Sequence, residues 1–368
     1  MRNWEWQNYF VENFFSWINS VEFSEFITRL ADDIRIKIAS NYNKDEPDIV
    51  KEITASFKEK SLMRGKFFRV KTSAEFIHGS KSQVIFPFDK NELQRELGDI
   101  VFITVLRINR NFTLRKLSII QVKKANKTNW RIDIDQGQLY LLSTFPKFKG
   151  VSGFFKDGEF KFFNYSNNLG GYVIFNGTGD LMHTSAILLR KILCSSKSIS
   201  YQKLYGNLLP LPKNLYCYSC RSEIIRAFEP LICEYDKDLF QLFMTNNFDS
   251  SYIYTFFKNL NDVYSLYIYD FLRSLFKLSI GEIVKKEELR FLQYLYKRMK
   301  VYSKSPKNKG LQLFIQDTQE FFSDVEKSLE PHIHNKFGDG GNNDDREVFE
   351  SDENSGIGIV YMEINYEY

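Results

Sequence analysis

Cysteine is scarce in this chain, and four in 368 residues do not make a disulfide scaffold. Cys217-Tyr218-Ser219-Cys220 is a single CxxC, and Cys194 and Cys233 stand alone on either side of it. The ligand spacing of a zinc ribbon is therefore missing. Buried free thiols are the simpler reading, with a four-cysteine zinc site across 194–233 as the sharper alternative. Long apolar runs are absent too. The stretch 264–276 is broken by Asp270 and Arg273, so no transmembrane helix is expected. The opening Met1-Arg2-Asn3-Trp4-Glu5-Trp6 lacks the apolar region of a signal peptide. Together these point to a cytoplasmic protein with no membrane partner. No Gly-x-x-x-x-Gly-Lys-Ser/Thr loop occurs, which excludes the usual phosphate-loop chemistry. The glycines at 168–171 and 177–180 read as turns. No Gly-x-Ser-x-Gly elbow occurs either, and there is no internal repeat.

What is present fits a globular protein of two domains, or one core with a large appendage. Hydrophobic residues make up 43% and charged residues 26%. Phe (35) and Tyr (21) are frequent, which we attribute to base composition and core packing rather than to a stacking surface. Charge is unevenly spread. Residues 338–368 hold nine acids and one arginine, net −8, so the other 337 residues carry +12. A basic body suits a polyanionic partner, and a Lys-rich solvated surface is the plainer account of it.

Periodicity divides the chain. Residues 1–64 read as a helical arm: one amphipathic helix over 1–40, then a second opened by Glu46-Pro47-Asp48. Residues 65–178 carry short strand-like runs at 67–70, 83–86, 100–107 and 117–122, a helix over 138–144, and a further strand pair at 160–164 and 171–175. Residues 179–336 read as a mainly helical domain, with helices at 181–193, 222–228, 238–244, 262–278, 285–302 and 311–329. The stretch 303–310 is a Lys-rich polar hinge. Residues 337–356 are an acidic Gly/Asn-rich linker. Residues 357–364, within a closing 357–368 segment, alternate like a strand that returns to an edge of the main sheet or pairs with another chain. The fold class expected is α/β (α+β), with a mixed sheet flanked by helices.

The informative residues lie on two of these runs. The first reads Glu96-Leu97-Gly98-Asp99-Ile100-Val101. The second reads Ile120-Gln121-Val122-Lys123-Lys124. Side chains alternate along a strand, so Gln121 and Lys123 share a face that Val122 does not. An antiparallel hairpin would bring Asp99, at the start of one strand, beside the end of the other. Asp99 then offers a hard carboxylate to Mg2+ or Mn2+, with the Gln121 side-chain oxygen and the Val122 carbonyl as further ligands. Lys123 would orient a metal-activated water or offset transition-state charge. Read structurally instead, Asp99 merely starts a strand and Lys123-Lys124 guards an edge.

Asp99 with Gln121-Val122-Lys123 resembles the PD-(D/E)xK restriction-endonuclease-like nucleases, in the Mrr-type variant where Gln replaces the acidic residue. The resemblance covers residues 65–150. Gln138-Leu139-Tyr140 is similar to the Gln-containing helix that follows the catalytic strand in RecB-type nucleases, although the tyrosine is displaced. It implies Mg2+-dependent hydrolysis of DNA, in restriction or defence against phage, with Gln138 near the site. It also implies an acidic residue from a preceding helix. Glu75 and Glu96 are the two candidates. Glu75 also fits a capping box with Thr72, and Glu96 needs a turn at Gly98 to face the site. His78 precedes the core strands as a lesser candidate, and His332-Ile333-His334 reads as a polar helix end. The implied partner is DNA, beside an open question of a defence or ATPase subunit or a second copy of the chain. One alternative is an inactive nuclease-fold subunit that only binds DNA or assembles a complex. Another is an interaction protein whose 357–364 strand adds to a partner's sheet.

Overall fold

The structure is a computed structural model. It describes residues 3–59, 62–64, 66–79, 82–108, 112–125, 131–162, 168–193, 203–207, 264–265, 267–329 and 355–366. The four cysteines, the 222–228 and 238–244 helices, the His332/His334 pair and the acidic 338–354 stretch lie outside these residues.

Three helices lead the chain: α1 (Asn3–Ile18), α2 (Val21–Asn41) and α3 (Glu46–Glu59). The single helix expected over 1–40 is thus two. Ser20 breaks it by capping α2, its Oγ accepting from Phe23 N at 3.1 Å. The strands β1 (Leu62–Arg64), β2 (Phe68–His78), β3 (Gln83–Phe88), β4 (Asn91–Glu96), β5 (Ile100–Ile108), β6 (Phe112–Lys124) and β7 (Arg131–Asp135) follow. Next come α4 (Gln136–Thr144), β8 (Phe148–Gly150), β9 (Glu159–Phe160), β10 (Gly170–Phe175), β11 (Leu181–Ser185) and α5 (Ala186–Leu193). Then come β12 (Lys203–Asn207), β13 (Tyr264–Ser265), α6 (Ile268–Phe276), β14 (Glu282–Ile283), α7 (Lys286–Tyr302), α8 (Gly310–Leu329) and β15 (Gly356–Tyr366).

The fold is mixed α/β. A nine-stranded mixed sheet runs β1-β2-β15-β5-β6-β10-β11-β13, with β14 also on β6. β5 and β6 form an antiparallel hairpin, while β10 runs parallel to β6 and β15 parallel to β5. On β5, Ile100 and Phe102 point into one core and Val101, Ile103 and Val105 into the other. Burial on both faces explains why its sequence is an unbroken apolar run. Helices α1, α2, α3 and α6 cover the first face, and α4, α5, α7 and α8 cover the second.

Several expectations need correction. The described C-terminal helices form no core of their own; they complete the two layers over the N-terminal sheet. The start of the expected 181–193 helix is strand β11, registered against β10. The 72–75 segment is interior to β2, where Thr72, Ser73 and Ala74 are buried and Lys71 and Glu75 are half-buried. The closing strand adds to no edge. β15 lies between β2 and β5, pairing with β2 from Gly356↔His78 to Tyr366↔Phe68. It is buried along nearly its whole length, so it cannot be offered to another chain without opening the sheet.

Candidate active site

The β5–β6 register sets Ile100 opposite Ile120, which leaves Asp99 just beyond the end of β5. Its N–H donates to the Ile120 carbonyl at 2.9 Å, and its own carbonyl accepts from Gly358 N on β15 at 2.8 Å. The backbone is thus pinned from both sides. The Asp99 Oδ2 accepts from Val122 N (2.7 Å) and from the Gln121 amide Nε2 (2.5 Å). The Val122 carbonyl turns toward the same side, past the end of β5, because peptide groups two residues apart along a strand face alike.

Gln121 is held in turn by Gln138, whose Nε2 donates to the Gln121 Oε1. Gln138 sits in the first turn of α4. That helix is capped by Asp135, whose Oδ1 accepts from Gln138 N at 2.8 Å and pairs with Arg95 Nε at 2.8 Å. The Gln138 amide also reaches the Glu96 carbonyl at 3.3 Å. In this arrangement Gln121 presents its nitrogen to Asp99 and its oxygen to α4. A ligand role for the Gln121 oxygen requires the amide to reverse. Tyr140 lies elsewhere, packed on Phe88 with Arg190 over its ring.

Glu46 is the residue that sequence reasoning missed. It opens α3, and its Oε2 pairs with Lys123 Nζ at 3.0 Å while Oε1 accepts from Lys124 N at 2.9 Å. The signal was present, since the Glu46-Pro47-Asp48 helix start is legible, but nothing local says that this end faces the end of β6. Of the two glutamates expected, Glu96 at the end of β4 lines the same cleft as Asp99, with Pro47, Val50 and Gly98. The break between β4 and β5 at residues 97–99 turns it there. Glu75 is on β2, two strands from β5, and is paired with Lys58 at 2.7 Å. His78 ends β2 and is part-buried; burial first, and then Lys51, hold its pKa below the usual histidine value.

The electrostatics single out Asp99. Burial drives its pKa up to about 7, and the charges of Glu96 and Glu46 add to the rise, against the pull of Lys123 and the Val122 N–H. Burial works against the Lys123 ammonium, but Glu46 and Asp99 outweigh it and hold its pKa above the ordinary lysine value. On β10, Tyr172 is registered beside Gln121. Its hydroxyl is buried without a hydrogen-bond partner among the described residues, and burial with the charges of Asp135 and Asp99 keeps it protonated.

A buried carboxylate whose pKa is raised in this way is stabilised by a nearby cation, a part that Lys123 already plays. Among the described residues no group of three or more His, Cys, Asp and Glu side chains gathers into a cage. Mg2+ does not demand one, because it keeps several waters and uses one or two carboxylates with substrate oxygens. The donors present therefore fit a sparsely held hard ion: Asp99, the Val122 carbonyl and, after reversal, Gln121. No protein-family model, no curated protein and no solved structure matches this chain.

Proposed function

We propose that the protein is a metal-dependent nuclease that hydrolyses DNA phosphodiester bonds, built on a restriction-endonuclease-like core. The observation that carries this reading is the convergence of Asp99, Gln121 and Lys123 with Glu46 from the start of α3. Glu46, at the start of a helix, is the acidic residue that pairs with Lys123 there. Glu96 is a supporting carboxylate in the same cleft.

Asp99 and the Val122 carbonyl would hold Mg2+ or Mn2+. When bound, the ion would polarise the phosphate and lower the pKa of an attacking water. The remaining steps belong to the chain. Asp99 must lose its proton to serve as ligand, so apparent metal affinity is expected to fall about tenfold per pH unit below pH 7. Lys123 stays charged and offers a fixed cation to the developing negative charge. Glu46 sets the position of that ammonium. Gln138 fixes Gln121, and through it the carboxylate of Asp99. The biological setting we infer is restriction or defence against foreign DNA, in the cytoplasm.

The test is cleavage of supercoiled plasmid and linear DNA with Mg2+, Mn2+ or EDTA. Wild type is expected to cut only with metal. Lys123→Ala and Asp99→Ala are expected to lose cutting by a hundredfold or more, in line with removal of one transition-state stabiliser. Equal cutting by the variants would sink the assignment. The rival reading, an inactive DNA-binding core, predicts no metal binding that depends on Asp99.

A further inference from the structure

The Asp99 cleft presents a problem for any nucleic acid. Asp99, Glu96 and Glu46 carry three negative charges when ionised, against the single charge of Lys123. A polyanion entering there is repelled before metal is bound, so affinity must come from cations on the rim. The sequence supplies an unusual stretch for this. Residues 289–316 contain seven lysines and arginines and no acid. Arg290 pairs with Glu287, Arg298 bonds the carbonyls of Phe154 and Gly153, and Lys300 lies over the Tyr296 ring. Lys304, Lys307 and Lys309, in the turn between α7 and α8, are exposed.

This turn is held against the end of β2, one contact away from the cleft. Asn308 is buried, and its side chain clasps the His78 backbone on both sides. Its Oδ1 accepts from His78 N at 2.9 Å, and its Nδ2 donates to His78 O at 3.2 Å. The next residue, Gly79, bonds Ser355 through both its N–H and its carbonyl. Ser355 lines the cleft with Asp99. Asn308 is turned inward, and its neighbours Lys307 and Lys309 are exposed. At the other end of the turn, Gly310 lies against the Glu75 carboxylate, which Lys58 of α3 also holds. On α3 itself, exposed Lys51 lies one turn beyond Pro47, a lining residue of the cleft. Lys51 and Lys307 both help to lower the pKa of His78.

We propose that Lys51, Lys304, Lys307 and Lys309 form a phosphate-binding rim that seats the backbone of a DNA duplex across the Asp99 cleft. The inference rests on the nuclease assignment for that cleft and names its substrate contacts. The anchored turn matters because lysines on a fixed backbone lose less freedom on binding than lysines on a loose loop.

The experiment is fluorescence anisotropy of a labelled DNA duplex with the full chain in EDTA, titrated over a range of KCl. Four proteins are compared: wild type, Lys51→Gln, Lys304→Gln/Lys307→Gln/Lys309→Gln, and a control matched in charge to the triple variant, Lys149→Gln/Lys156→Gln/Lys161→Gln, on exposed lysines elsewhere. Each phosphate contact contributes about 0.9 to the slope of log affinity against log salt. The rim variant is expected to lose about 2 to 3 from that slope and roughly tenfold or more in affinity at 0.1 M salt. Lys51→Gln is expected to lose about 1 from the slope. The control is expected to bind nearly as wild type does. Equal losses in control and rim variant, an unchanged rim variant, or a wild type that binds duplex RNA but not DNA would each overturn the proposal. Unchanged thermal melts show that the variants are folded. Failure of the nuclease assignment is distinguishable: wild type would then bind DNA through the rim yet leave it uncut with both Mg2+ and Mn2+.

Discussion

Replacing Asp99 by Asn should stabilise the metal-free protein, and only at the upper end of the pH range. The carboxylate has its pKa raised from 3.8 to about 7, chiefly by burial. A tenfold change in proton affinity corresponds to about 1.4 kcal/mol. The group borders a cleft, where water screens part of the field, so roughly 2–4 kcal/mol opposes folding once Asp99 is ionised. Below about pH 4 both the folded and unfolded chains hold the proton, and no penalty applies. Between 4 and 7 the unfolded chain ionises while the folded one does not, so stability is lost as pH rises. Above 7 the full penalty is in place. Asn keeps an oxygen for the N–H groups of Val122 and Gln121 and removes the charge. The assay is urea unfolding in EDTA at pH 5, 6, 7 and 8, with wild type and variant side by side. The variant's advantage should grow across the series and reach its plateau near pH 8. Adding Mg2+ should raise the wild type and leave the variant unmoved. A variant less stable at pH 8, or an advantage that ignores pH, would refute the electrostatic account.

Two further changes probe the same region. Tyr172→Phe removes a buried hydroxyl with no partner among the described residues, and should stabilise the fold by about 1 kcal/mol in urea. A loss of stability would mean that the hydroxyl is satisfied after all. Gly358→Ala would bring a methyl carbon to 2.3 Å from Thr54 Oγ1, where α3 crosses β15 beside Asp99. It should cost roughly 1–3 kcal/mol, and Thr54→Ala in the same chain should recover much of that; additive costs would rule out the clash.

The hairpin was legible because its information is local. Two apolar runs with polar ends and a short connection have one compact pairing, and it sets Asp99 beside Gln121 and Lys123. Glu46 was illegible for the opposite reason. Its helix start is marked in sequence, but its contact with β6 is a matter of tertiary packing. Glu75 misled because Thr72 and Glu75 have capping-box spacing. The alternation of Phe68, Val70, Thr72 and Ala74 prevails there, since β15 pairs with β2 along its whole length and β1 with Arg69–Lys71. β4 was missed because Asn91–Glu96 is polar and largely exposed, in a separate four-stranded sheet. The strand at 357–364 was readable as a strand, but no pattern within it names its neighbours. Helices α6, α7 and α8 carry clear apolar stripes, and stripes do not say which sheet they will cover.

The place of β15 has a consequence for when the sheet can close during synthesis. The strand is translated last of the described elements, yet it fills the gap between β2 and β5, and its Gly358 holds the Asp99 backbone. A nascent chain that has not yet emitted Tyr366 has a divided sheet and an unsupported Asp99. Pairings between residues so distant in sequence also form slowly. A ribosome that stalls, or a message cut short, therefore yields a chain without an assembled site. On the proposed nuclease reading, the site would assemble only once the last of the described strands has been made.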